Sequence, residues 1–210
     1  MEQTSFDFAE FTKDAIRTES KVPTVTVNPA FFIEAMRLAV LSSEVLDQVK
    51  KHMFYKKQDK EDPTLFHPRP LDVEKTLGLL KELHGVVGYM RTAGLAHEAA
   101  HPTDEGLPVN TRLVHAFIGK YTESGELLKA LLTAFEAGQP VDKVNLREEM
   151  GDDKWYDAIA FDELGANFGD VCRLVITKLR ARYPDAFEQA LADVRNLDAE
   201  RKILEEGSQG

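Results

Sequence analysis

Two acidic pairs, Glu123-x-x-Glu126 and Glu149-x-x-Asp152, are the residues of this chain best placed to do chemistry. Both lie in stretches that read as helix, and residues three apart share a helix face. Two such helices packed antiparallel would aim four carboxylates at one spot. Bare like charges at that density repel, so the grouping makes physical sense around a hard cation. Oxygen-only ligation suits Mg²⁺ or Mn²⁺, and Mg²⁺ recruits substrate phosphates to complete its shell. Spacing by itself is weak support. Acidic residues number 36 of 210, so about six such pairs arise by chance. The competing reading is a solvated acidic face. Against it stand Gly125 and Gly151 inside the same stretches, each costing about 1 kcal/mol relative to alanine. A close approach of helices or phosphates would account for them. The pairs also border Leu127, Leu128, Leu146 and Trp155, at the edge of a predicted core.

The surroundings are more specific. The first pair sits in His115-Ala-Phe-Ile-Gly-Lys-Tyr-Thr-Glu123-Ser-Gly-Glu126-Leu-Leu, the second in Val144-Asn-Leu-Arg-Glu-Glu149-Met-Gly-Asp152-Asp-Lys-Trp155-Tyr156. A third segment follows, Lys178-Leu-Arg-Ala-Arg182-Tyr183-Pro184-Asp-Ala-Phe187. Together they closely resemble the MazG-like, all-α nucleoside triphosphate pyrophosphohydrolases, a superfamily that includes the dimeric dUTPases and dCTP pyrophosphatases. The tail Leu197–Leu204 and the opening Phe8–Thr18 also look like stretches of phage and bacterial members. The strong resemblance covers residues 113–204, with a weaker match at 6–19.

The resemblance implies a Mg²⁺-dependent hydrolase, with Mn²⁺ able to substitute. It would cleave a nucleoside triphosphate, expected to be a deoxynucleotide, to the monophosphate and pyrophosphate. It implies metal ligation by Glu123, Glu126, Glu149 and Asp152. It assigns Lys178 to substrate phosphates, with Arg182, on the same helix face, beside it; the alternative is a helix C-terminus complementing its own dipole. Two positions depart from the pattern. Val175 stands where an asparagine is usual, and Lys120 where an apolar residue is usual. Lys120 is therefore either an added phosphate contact or a solvated lysine. Tyr156, four residues after Asp152, and Trp155 are candidate substrate contacts, against the commoner fate of such aromatics as core. His52, Phe54, Tyr55, Lys56 and Lys57 either stack a base or form an exposed helix end. An alarmone hydrolase using the same site, and a non-catalytic helical binding or assembly module, are the alternatives.

Composition bounds the rest. A net charge of −10 argues against a duplex nucleic-acid binder, though bound metal can invert the local sign for a phosphorylated small molecule. No apolar run approaches the roughly 18 residues of a membrane span. The single cysteine, Cys172, excludes an internal disulfide and fits a cytoplasmic location. The expected partners are a nucleotide and a second copy of the chain, with neither nucleic acid nor membrane. No Walker loop, dinucleotide fingerprint or Ser-His-Asp arrangement is present.

The elements that must position these residues are helices throughout. Periodicity predicts helices over 6–18, 29–55, 72–96, 109–137, 144–165, 168–182 and 185–204. Residues 21–29 read as an extended arm, 56–70 as a loop without strands, and His97–Pro108 as a linker. A faint internal repeat aligns Glu44, Glu82 and Tyr89 with Glu126, Glu149 and Tyr156, and places Leu41 and Gly85 where Glu123 and Asp152 stand. The predicted architecture is an all-α bundle built from a duplicated helical hairpin. It has an N-terminal helix and arm (1–27), a degenerate half with linker (28–108) and a catalytic half (109–210).

Overall fold

A computed structural model describes residues 7–24, 26–58, 66–95, 106–185, 187–188, 191–192 and 194–207. Asparagine and aspartate set the helix starts. Asp7 caps α1 (Phe8–Thr18), Asn28 caps α2 (Pro29–Phe54) and Asp72 caps α3 (Val73–Thr92). Asn110 caps α4 (Thr111–Ala137) and Asp142 caps α5 (Lys143–Glu163). Asn167 accepts from the N–H groups of Gly169 and Asp170 at the start of α6 (Phe168–Arg182). In each case a short side-chain oxygen satisfies N–H groups that have no intrahelical partner. The last helix, α7 (Leu197–Gly207), begins just after Asn196.

This is the all-α architecture that the periodicity predicts, with two local corrections. Residues 56–58 and 66–68 are not plain loop: Lys56–Gln58 (β1) and Phe66–Pro68 (β2) pair antiparallel. His52 Nδ1–H donates to the Arg69 carbonyl at 2.7 Å and ties the end of α2 to the exit of this ribbon. The second correction is at the C-terminus. Residues 194–196 are not helical, so the stretch predicted as one helix over 185–204 is broken before α7. Asn196 explains the break, because asparagine competes for the backbone and favours a helix start over a helix interior. The start of the first predicted helix at residue 6, the end of the third at 96 and linker residues 97–105 lie outside the described residues.

The chain forms two compact units. One comprises Met1–Val25, Pro108–Ala181 and Leu197–Gly210. Its core is Ala116, Ile159 and Ala160 between α4 and α5, with Trp155 and Tyr156 packed against them. The other comprises Thr26–Leu107 and Arg182–Asn196. Its core joins α2 to α3 through Leu41, Leu79 and Val86, flanked by Leu38, Val45, Leu83 and Met90. Among the described residues no helix is long and apolar enough to cross a membrane.

Candidate metal centre

The site is built on the α4–α5 hairpin. Gly138 ends α4 in the left-handed conformation (φ 60°), where a Cβ would be strained. Pro140 cannot extend the helix, and Asp142 starts the next one. The two helices then run antiparallel, since partners fall along α5 as residue numbers rise along α4. Arg112 bonds Asp162 and Glu163 at 2.8 Å each. Lys120 Nζ lies 2.8 Å from Asp153 and 2.9 Å from Asp157.

Between these two pairings the backbones come close. Gly119 is buried, and a Cβ there would lie 2.0 Å from Cε1 of Tyr156. The tyrosine ring therefore occupies the place of the missing side chain. Its edge contacts to His115 and Trp155, at 5.6 and 4.9 Å between centroids, complete an aromatic cluster. One turn beyond Gly119 the carboxylates meet. Glu123, Glu149 and Asp152 each offer an oxygen, all within 4.8 Å of one another. Glu149 is buried, Glu123 half-buried and Asp152 exposed. Asn145, one turn before Glu149 on the same face, donates Nδ2–H to Glu149 Oε1 at 2.6 Å.

Glu126 is not one of the three. It is exposed one turn further along α4, close enough for its charge to act on Glu123. The sequence pairs it with Glu123, and its side chain is exposed where that of Glu123 is half-buried.

The electrostatics follow from this crowding. Burial pushes the Glu123 carboxyl above its ordinary value, helped by the hydrogen bond with Glu149 and by the charges of Asp152, Glu149 and Glu126. Burial also raises the Tyr156 phenol, with Glu123 and Asp152 adding to the effect. The charges that act most on Glu123 are all negative. An oxygen-only set of this kind fits a hard divalent cation, which would relieve the repulsion.

The other predicted site residues are placed as follows. The Lys120 side chain is 36% exposed and lies against two carboxylates outside the group of three. It is held by Asp153 and Asp157, which also hold Lys154 at 2.6 and 2.9 Å. Trp155 packs on the core and donates Nε1–H to Thr18 Oγ1 at 2.9 Å, fastening α1 to α5. Lys178 is half-buried on α6 and makes no hydrogen bond or ion pair among the described residues. Arg182 belongs to the other unit, where its guanidinium lies 5.6 Å from the centre of the Tyr183 ring. Among the described residues, no atom of another element lies within 4 Å of a Cβ built on Gly125 or Gly151.

Sequence reasoning missed Asn145, although its position four residues before Glu149 was a usable signal. It also missed Gly119 and the buried Glu19. Arg112 holds Glu19 at 2.8 Å, and no local spacing links residues so far apart. The chain matches no family model, no curated protein and no solved structure.

Proposed function

We propose that the chain is a metal-dependent nucleoside triphosphate pyrophosphohydrolase. It would convert a nucleoside triphosphate, expected to be a deoxynucleotide, to the monophosphate and pyrophosphate. The meeting of Glu123, Glu149 and Asp152 carries the reading, because three carboxylates within 4.8 Å, one of them buried, are costly unless a cation offsets them. The residue pattern that resembles the MazG-like pyrophosphohydrolases supplies the reaction class.

In this reading Glu123, Glu149 and Asp152 hold Mg²⁺, with Glu126 at the rim. Bound there, the ion would polarise the phosphate chain and lower the pKa of a water. Asn145 fixes the orientation of Glu149 and leaves its second oxygen for the metal. Of the glutamates, Glu123 is the one assigned to orient or deprotonate the attacking water. The water oxygen bonds to the α-phosphorus, and the bond from the α-phosphorus to the α,β-bridging oxygen breaks. Lys178, and with it Arg182, is assigned to the departing pyrophosphate on the strength of the resemblance.

The first hairpin is structural in this proposal. Leu41, aligned with Glu123, packs in the α2–α3 core, and Gly85, aligned with Asp152, has no side chain to offer. A homodimer is also part of the proposal. The exposure of Phe117, Tyr121, Leu128, Leu132 and Phe135 along α4 supports it. The test of the reaction is hydrolysis in ¹⁸O-water with Mg²⁺. Label in the monophosphate is expected, whereas label in pyrophosphate, or orthophosphate as the first product, would rule out attack at the α-phosphorus.

A further inference from the structure

Beside the carboxylates, a groove of about 430 Å³ runs between the end of α4 and the start of α5. That volume falls in the roughly 300–1,000 Å³ range of small-molecule sites. Its walls are of two kinds. Ala130, Ala134, Ala137 and Pro140 give a low apolar bed. Glu126, Lys129, Thr133, Gln139 and Asn145 supply polar groups around it. Two of these residues also belong to the surroundings of the carboxylates. Asn145 spends one amide N–H on Glu149, which leaves its other N–H and its carbonyl. Glu126 is among the charges that raise Glu123. The groove therefore opens next to the candidate metal centre.

We propose that this groove takes the nucleoside end of the substrate. The inference rests on the pyrophosphohydrolase reading and assigns the part of the nucleotide that the carboxylates do not hold. Charge decides which part that is. The groove carries two carboxylates, Glu126 and Asp142, against the single ammonium of Lys129. Asp142 is already occupied as the cap of α5, accepting from Val144 N–H at 2.8 Å. Such a surface repels phosphates, which belong at the metal.

Its neutral groups suit a heterocycle. The Thr133 hydroxyl and the Gln139 and Asn145 amides offer both donors and acceptors. The side chains of Thr133 and Gln139 make no hydrogen bond among the described residues. The alanine and proline bed has the low relief on which a flat ring can lie.

Binding measurements on the whole chain with Mg²⁺ test this, using α,β-imido-dUTP, α,β-imido-dATP and inorganic tripolyphosphate as probes. Ala134→Leu fills the bed and Gln139→Ala removes an edge contact, so either change is informative if the other disturbs folding. Wild type should bind at least one imido-nucleotide more tightly than tripolyphosphate. Both variants should weaken that nucleotide about tenfold and leave tripolyphosphate within twofold. Unchanged nucleotide affinity in both variants, or an equal loss for tripolyphosphate, would overturn the assignment. Wild type that binds tripolyphosphate but gains nothing from a nucleoside would also overturn it. Wild type that binds none of the three removes the pyrophosphohydrolase reading itself.

Discussion

The ring of Tyr156 fills the position that a side chain on Gly119 would take, with Cε1 2.0 Å and Cζ 2.2 Å from where the Cβ would be. This contact sets how closely α4 and α5 pack one turn before Glu123. Gly119→Ala should therefore cost about 1–3 kcal/mol through overpacking, even though alanine is the better helix former. A fall of several degrees in melting temperature is expected at this chain length. Adding Tyr156→Leu should recover part of the loss, because neighbouring substitutions are not additive. A double variant as unstable as the sum of the two single changes would show that the ring does not set the spacing.

Glu123 should mark the candidate metal centre most clearly. Its folded-state proton affinity is raised, so proton binding there adds stability that is fully present below the unfolded pKa, about 4.3. That stability is lost as pH rises through the folded value. Metal-free wild type should thus gain stability on mild acidification from pH 7, and Glu123→Gln should flatten that gain. In EDTA at pH 7 the variant should melt at or above wild type. At ten times its Kd, Mg²⁺ should stabilise wild type by about 1.4 kcal/mol, and Glu123→Gln should lose most of that. Turnover should fall at least about a hundredfold. Glu126→Gln, outside the group of three, should weaken Mg²⁺ less. Calorimetric melts across pH, with EDTA and with Mg²⁺, read all of these.

Lys120 should behave as a clamp between helices. Burial alone would raise the Asp153 carboxyl, but hydrogen bonds from Lys120 and Lys154 outweigh it and hold the group below the ordinary range. Lys120→Met removes one of those two cations and should cost about 1–2 kcal/mol by denaturant titration. It should leave tripolyphosphate affinity within a few-fold. A selective loss of phosphate binding with unchanged stability would return Lys120 to the substrate.

Arg112 joins three parts of one unit. It reaches Glu19 after α1 and Asp162 and Glu163 near the end of α5. The Glu19 side chain is only 1% exposed, so Arg112→Met strands a buried charge and should cost about 3–5 kcal/mol. The hydrogen bond from Asn110, and then that from Arg112, holds the Glu163 carboxyl below its usual range. That stabilisation is present above the unfolded glutamate value of about 4.3 and is lost as pH falls through the folded one. The gap between wild type and variant should narrow below about pH 4. Denaturation series at pH 3.5, 5 and 7 check the sign.

Much of this protein was legible in its residues. The helical period, the Asn and Asp caps and the prolines and glycines between helices determine an all-α chain, with starts close to those observed for every helix but the last. These signals act over one or two turns, so a linear reading captures them. The same period put Glu149 and Asp152 on one face, and Glu123 with Glu126 on another.

Only the tertiary structure decided which of those groups meet. The pairing of α4 with α5 depends on contacts far apart in the chain, such as Gly119 with Tyr156 and Arg112 with Asp162. Residues at i and i+3 differ by about 60° around a helix, enough for packing to bring Glu123 inward and leave Glu126 at the rim. Lys120 and Trp155 followed the same rule. Their types suggested ligand contacts, and packing gives them protein partners that no spacing shows, Asp153 and Asp157 for Lys120 and Thr18 for Trp155. A one-dimensional pattern fixes which face a side chain is on, whereas the register and rotation of packed helices fix what that face meets.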